Sequence, residues 1–202
     1  SWERFGFWAD AADEGCHAIS IARRISDSSN LRLAGLHAHI GTNIRDLEKF
    51  RQFATVYSEF LDKLREQLNI ETEWIDVGGG LAGIAPNVAE HRSTPHLLPP
   101  LQDYCQAIVQ PLLPYLQSCT NPPRLLFEPG RTLFNAAGAL FATVVGRRPV
   151  ESNGIESVIL DAGITSLSLS AKYDCPVHVC KDPSPSARRV QLLGPTCMEQ
   201  DV

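Results

Sequence analysis

The chain has 202 residues, 44% of them hydrophobic, enough to bury a substantial core in the ordinary globular range. Its net charge of −5 and pI near 5.7 leave no basic surplus to neutralise phosphates, which argues against a nucleic-acid or polyanion binder. No apolar run approaches the ~20 residues of a membrane span, and no charged segment followed by an apolar stretch marks a signal peptide.

Six cysteines are scattered without a CxxC pair and read as free thiols in a reducing compartment, which makes the cytoplasm the default location. The chain opens on Ser1-Trp2-Glu3-Arg4-Phe5-Gly6 and closes on Asp201-Val202, and both ends read as cuts through a larger protein.

Along the chain, Ala18, Ile21, Ala22 and Ile25 recur at helical spacing within residues 11–25. Residues 31–41 read as a strand running into a glycine turn. A strong amphipathic helix follows: Leu47, Phe50, Phe53, Tyr57, Leu61, Leu64 and Leu68 step by three or four, with Asp46 and Glu48 near its start. Trp74-Ile75-Asp76-Val77 reads as a second strand, ending in Gly78-Gly79-Gly80. Residues 81–100 hold four prolines and read as a loop. Residues 101–116 predict a weaker helix, interrupted at Pro111 and Pro114. A third strand, residues 124–127, ends in Glu128-Pro129-Gly130-Arg131.

Beyond residue 134 the pattern changes. Residues 137–145, 157–160, 177–180 and 190–193 read as strands joined by Gly, Pro and Ser turns, with no helix between them. The expected organisation is α/β plus β. Residues 1–133 would be the C-terminal portion of a (β/α)8 barrel, contributing about three of the eight strands a closed barrel needs, and residues 134–202 part of a predominantly β C-terminal domain.

Three strand ends carry chemistry. Gly78-Gly79-Gly80 forms either a tight turn or a backbone that wraps a phosphate with its N–H groups. Glu128 and Arg131 are either a surface ion pair or an acid and a permanent cation aimed at a ligand. His37 and His39 share one face of a strand, which permits a two-histidine metal site of the barrel-hydrolase kind, or one packed and one functional imidazole.

In order, His39-Ile40-Gly41-Thr42, Asp76-Val77-Gly78-Gly79-Gly80, Glu128-Pro129-Gly130-Arg131, Asp161-Ala162-Gly163 and Gly194-Pro195-Thr196-Cys197 resemble the motifs of the diaminopimelate/ornithine decarboxylases. These are pyridoxal-phosphate enzymes of the alanine racemase/ornithine decarboxylase-like fold (fold type III). The likeness runs from Arg4 to Asp201. It implies pyridoxal 5'-phosphate as cofactor, an amino-acid substrate and a homodimer with shared active sites, without nucleic acid, membrane or metal. His39 would stack on the cofactor ring. Thr42, Gly78, Gly79, Gly80, Gly130 and Arg131 would hold the phosphate, and Glu128 the pyridine nitrogen. Asp161 and Met198 would line the substrate side, and Cys197 would return a proton after decarboxylation. A racemase or a non-catalytic cofactor-binding relative is the alternative within the fold.

Three departures stand out. The family's Schiff-base lysine lies upstream of Phe5, and Lys49, Lys63, Lys172 and Lys181 match no position for it. Where the family usually carries an acid after the cysteine, this chain has Met198, and Ser166 to Ser170 offer no arginine for a distal carboxylate. A methionine there disfavours a buried ammonium, because an unpaired charge costs several kcal/mol to desolvate. The expectation is a substrate other than a simple diamino acid, with a neutral or acylated tail.

Overall fold

Strand β1 (Gly35–His37), β2 (Trp74–Asp76) and β3 (Arg124–Leu126) form a parallel sheet in the order β1-β2-β3. This is a computed structural model describing residues 5–10, 16–83, 98–134, 137–149, 154–168, 177–180, 188–198 and 201. They fall into two compact units, one holding the described residues up to 83 and 98–134, the other those from 137 onward.

In the first unit the register aligns Leu36, Ile75 and Leu125 on one face and His37, Asp76 and Leu126 on the other. Ile75 and Val77 are buried in a core that Leu36, Ala38, Leu125 and Phe127 also join. That core is closed by helices α2 (Leu47–Leu68) and α3 (Leu101–Ser118), which follow β1 and β2; α1 (His17–Ser26) precedes β1. Long crossovers are what parallel neighbours require. Alternation therefore sends the odd apolar residues of β2 and β3, and the even ones of β1, toward the helices. His37, Asp76 and, two residues past β3, Glu128 take the opposite face.

Helix α2 matches its apolar period. Asp46 caps it, its side chain accepting from the Glu48 N–H at 2.9 Å, and Asn69 ends it in the left-handed region at φ 54°. Phe50, Ala54, Leu61 and Leu64 are fully buried along one stripe. Phe50 meets Tyr104 of α3 edge-to-face at 5.3 Å, and Leu64 packs with Ile19 and Ala22 of α1.

Several expectations needed correction. Helix α3 runs unbroken through Pro111 and Pro114. The first strand is confined to Gly35–His37 within the apolar run 31–41. Helix α1 begins at His17, and residues 11–15 of the expected helix lie outside the described residues, as does most of the loop 81–100. A short helix α4 (Gly130–Phe134), with no apolar period to announce it, follows the Glu128-Pro129 turn.

The second unit holds strands β4 (Val144–Arg148), β5 (Glu156–Leu160) and β6 (Val190–Leu193). β4 runs antiparallel to β5 with an irregularity between Val144 and Gly146, and β6 runs parallel to β5. Residues 137–143 and 177–180, which read as strands in the sequence, are not strands. The buried Glu156 pairs with Arg147 at 2.7 Å and Arg188 at 2.5 Å, so its charge is compensated. Among the described residues no helix is long and apolar enough to cross a membrane, and Cys16, Cys105, Cys119, Cys180 and Cys197 are free; Cys175 lies outside them.

Candidate functional site

Beyond β1, β2 and β3 the backbone ladder continues into three loops. The Ala38 N–H donates to Asp76 O at 3.1 Å, Glu128 N–H to Gly78 O at 2.9 Å and Ile44 N–H to Gly80 O at 2.8 Å. The motif segments 37–44, 76–81 and 128 are thus hydrogen-bonded side by side, although 90 residues separate the first from the last.

The helices hold this layer from below. Tyr57 of α2 donates its hydroxyl to Leu36 O at 2.7 Å and, more weakly, to Asp76 O at 3.3 Å, joining β1 and β2 at their ends. Burial, with the Asp76 charge adding to it, pushes the Tyr57 hydroxyl far above its ordinary range, so it stays a neutral donor. Tyr104 of α3 donates to Ile44 O at 2.9 Å, fixing the loop that carries Gly41 and Thr42. The Thr132 hydroxyl of α4 donates to Leu81 O and Ala82 O, both at 3.3 Å.

The glycine run is needed twice over. Gly78 and Gly80 take φ of +67° and +86°, where side chains are strained. A Cβ at Gly78 would also lie 2.7 Å from Ala38 O and 3.1 Å from His39 Nδ1, while one at Gly79 would strike Glu128 O and one at Gly80 would strike Gly41 O. The glycines let the three loops close on one another, and the exposed His39 imidazole lies directly over Gly78.

On this surface His37 Nε2 lies 3.5 Å from Glu128 Oε2, both side chains about half exposed. Asp76, the register partner of His37, completes a group whose ligand atoms lie within 4.8 Å of one another. Asp76 Oδ1 also accepts from the Gly78 N–H at 2.9 Å. Among the described residues the group of three ligand-bearing side chains close enough to share a metal ion is His37, Asp76 and Glu128, which does not include His39. Arg131 lies in α4, and Gly130 begins that helix. Thr42 is exposed, while beside it Asn43 takes φ 55° and its buried Oδ1 has no hydrogen-bond partner among the described residues.

The second unit carries the remaining motif residues. Asp201, 3% exposed, accepts from the Ile164 N–H at 2.6 Å, the Thr196 N–H at 2.8 Å and the Thr196 hydroxyl at 2.6 Å. Its carbonyl also accepts from the Gly194 N–H at 2.7 Å. A Cβ at Gly163 or Gly194 would collide with the Asp201 carboxylate. These bonds, the Thr196 hydroxyl first, hold the Asp201 carboxyl below the usual carboxylate range. The clasp draws the segment after Asp161-Ala162-Gly163 and the Gly194–Cys197 loop together, and leaves Cys197 and Met198 exposed. Asp161 itself accepts from the Thr143 N–H at 2.7 Å, so in this chain its carboxylate anchors β4's approach.

Asp76, Tyr57, Tyr104 and Asp201 escaped sequence reasoning as site residues. Asp76 stood inside a quoted motif, two residues before the glycines, and that was the available signal. Burial and hydrogen bonding single out the others, and neither has a sequence pattern.

Residues 2–135 match the family model described as "Pyridoxal-dependent decarboxylase, pyridoxal binding domain". The chain is similar to diaminopimelate decarboxylase from Zymomonas mobilis, 31% identical over 187 residues, covering 92% of this chain and 41% of the relative. It is 29% identical to diaminopimelate decarboxylase from Methanocaldococcus jannaschii, over 92% of this chain and 40% of that one. Among solved structures, the M. jannaschii diaminopimelate decarboxylase with L-lysine superposes with a TM-score of 0.70 at 26% identity, over 91% of this chain and 40% of that chain. The Vibrio vulnificus lysine/ornithine decarboxylase with cadaverine shares the fold, with a TM-score of 0.70 at 22% identity. The chain spans about two-fifths of the length of the curated relatives it matches.

Proposed function

The chain belongs to the pyridoxal-dependent decarboxylase family, and on that footing we propose that the full protein binds pyridoxal 5'-phosphate over the ends of β1, β2 and β3 and decarboxylates an amino acid or amino-acid derivative. One observation carries the reading: three distant motif segments are hydrogen-bonded into one surface bearing His39, the glycine run and Glu128.

The residues fit such a cofactor. Glu128 offers an exposed carboxylate to a protonated pyridine nitrogen, and the exposed His39 ring, which lies against Gly78, would cover one face. Thr42, the glycine run, Gly130 and Arg131 would hold the phosphate. Because Asp76 already engages the Gly78 N–H, the run would contribute through Gly79 and Gly80. Asn43, with a buried polar atom to satisfy, marks the same loop as a place where a polar partner is accommodated. Bound there, the cofactor supplies an electron sink for the pair left on Cα as the carboxyl group departs. Glu128 would keep the ring nitrogen protonated by accepting its N–H. Cys197 would deliver the proton that replaces the carboxyl group, and its exposure suits a site completed by a second subunit of a homodimer.

In the same reading residues 1–133 are part of a (β/α)8 barrel, residues 134–202 part of a β-rich domain, and the protein works in the cytoplasm. Asp161 would bear on the substrate side only indirectly, through the loop that Asp201 clasps. Met198 places no charge beside Cys197, so the substrate's far end is taken to be neutral or acylated.

The test is turnover by the full-length protein. Carbon dioxide should be released faster from amino acids with an uncharged or acylated tail than from diaminopimelate, lysine or ornithine. Efficient turnover of those three would overturn the substrate assignment. Cofactor affinity unchanged in both Glu128→Ala and Arg131→Ala would overturn the cofactor site itself.

A further inference from the structure

His37 is the one member of the strand-end cluster that the proposed function leaves without work. It closes β1, faces away from the helices and pairs in register with Asp76. Its Nε2 lies 3.5 Å from Glu128 Oε2, and a Cβ at Gly78 would meet the same nitrogen at 3.4 Å, so the imidazole is seated between the glycine loop and the glutamate. Asp76 is itself fixed, because its Oδ1 accepts from the Gly78 N–H. By contrast, Glu128 projects half exposed from a loop, on a side chain with three rotatable bonds. A carboxylate so placed samples many orientations unless a neighbour restrains it.

We propose that His37 is a positioning residue: with Asp76 beside it in register, its imidazole holds one oxygen of Glu128, so that the carboxylate is presented to the ring nitrogen of the cofactor in one orientation. This rests on the reading of Glu128 given above. The imidazole touches neither cofactor nor substrate; it acts through the glutamate, as outer partners orient the ligands of metal sites. Asp76, anchored to the Gly78 N–H and paired in register with His37, sets the imidazole beside the loop assigned to the phosphate.

Two probes of the full-length protein separate this role from simple packing: pyridoxal phosphate, and its analogue with the ring nitrogen replaced by carbon. Equilibrium binding of both is measured for the wild type, His37→Ala, His37→Gln, Asp76→Asn, Glu128→Gln and the His37→Ala/Glu128→Gln pair. His37→Ala should weaken pyridoxal phosphate by about tenfold, the scale of one hydrogen bond to a charged group, and leave the carbon analogue unchanged. His37→Gln, which keeps an N–H for Glu128, should recover much of the loss. Asp76→Asn should give a smaller loss in the same direction, and His37→Ala should add little once Glu128 is Gln.

Equal weakening of both probes by His37→Ala and His37→Gln would overturn the proposal, since packing alone ignores the ring nitrogen. So would additive losses in the double variant. Zinc retained at His37 in the cofactor-loaded protein would also overturn it, because a metal would then occupy the nitrogen assigned to Glu128. If Glu128→Gln binds both probes like the wild type, the reading of Glu128 fails first. If Glu128→Gln discriminates between them and the His37 variants do not, only the positioning role fails.

Discussion

Asp201 gathers bonds from two loops that lie about thirty residues apart in sequence, and its carboxylate holds Thr196, the residue before the exposed Cys197. Its acidity carries a signed consequence. The folded state holds this carboxyl below the ordinary aspartate value of about 3.9, so the unfolded chain binds the proton more tightly. The stabilisation is therefore fully present above that ordinary value and is lost as pH falls through the lower, folded one. Asp201→Asn should unfold at lower denaturant concentration than the wild type at pH 7, because an amide N–H would oppose one of the three donors. The gap should narrow as the wild type is acidified below pH ~4. Denaturant melts at pH 7 and pH 3 check this, and a gap independent of pH would contradict it. Nothing in Gly-Pro-Thr-Cys-Met-Glu-Gln-Asp marks the last residue as the clasp. Each of its partners is ordinary in sequence, and only the folded loops bring them to one carboxylate.

At the scale of elements, helix α3 is the clearest disagreement between local preference and tertiary packing. A proline inside a helix removes one backbone bond and crowds the carbonyl four residues back, at a cost of about 3 kcal/mol. Pro111 and Pro114 nevertheless sit within an unbroken helix, because Tyr104, Ala107, Ile108, Leu112 and Tyr115 are all buried against α2 and the sheet. Each large apolar side chain contributes about 1.5–3 kcal/mol on burial, which together outweighs the two local penalties. The continuous helix makes a specific prediction. Leu112, fully buried, should cost about 2–5 kcal/mol when cut to Ala, whereas its neighbour Leu113, 39% exposed, should cost roughly 0.5 kcal/mol or less. Urea unfolding of the two variants decides it; similar losses would mean that the helix does not hold this phase beyond Pro111. Helix α2, by contrast, was fully legible, since seven apolar positions at a strict period and an Asp cap agree with one another. The strands were legible in place but not in extent. β1 lasts only as long as β2 lies beside it, and residues 137–143 and 177–180, expected as strands, find no ladder among the described residues.

Across the whole molecule, the proposed cofactor surface and the cysteine loop belong to different compact units. Their chemistry should therefore separate on mutation. Cys197→Ala in the full-length protein should lower kcat by about 10²–10⁴-fold, the usual worth of a positioned proton donor, at an unchanged dissociation constant for pyridoxal phosphate. Glu128→Ala should weaken the cofactor instead. Loss of cofactor affinity in Cys197→Ala would contradict this separation of roles.

The sequence alone determined the ordered set of strand-end motifs, and with it the family, because each motif needs a particular residue for a local reason: glycine at positive φ, an acid or imidazole at a strand terminus. It equally determined the face of α2. Tertiary structure decided which motif residues meet. The register of β1, β2 and β3 sets His37 against Asp76 and carries Glu128 to His37, and Tyr57 and Tyr104 secure that layer from the helices. Such meetings depend on hydrogen bonds and burial between segments tens of residues apart, which leave no spacing to read along the chain.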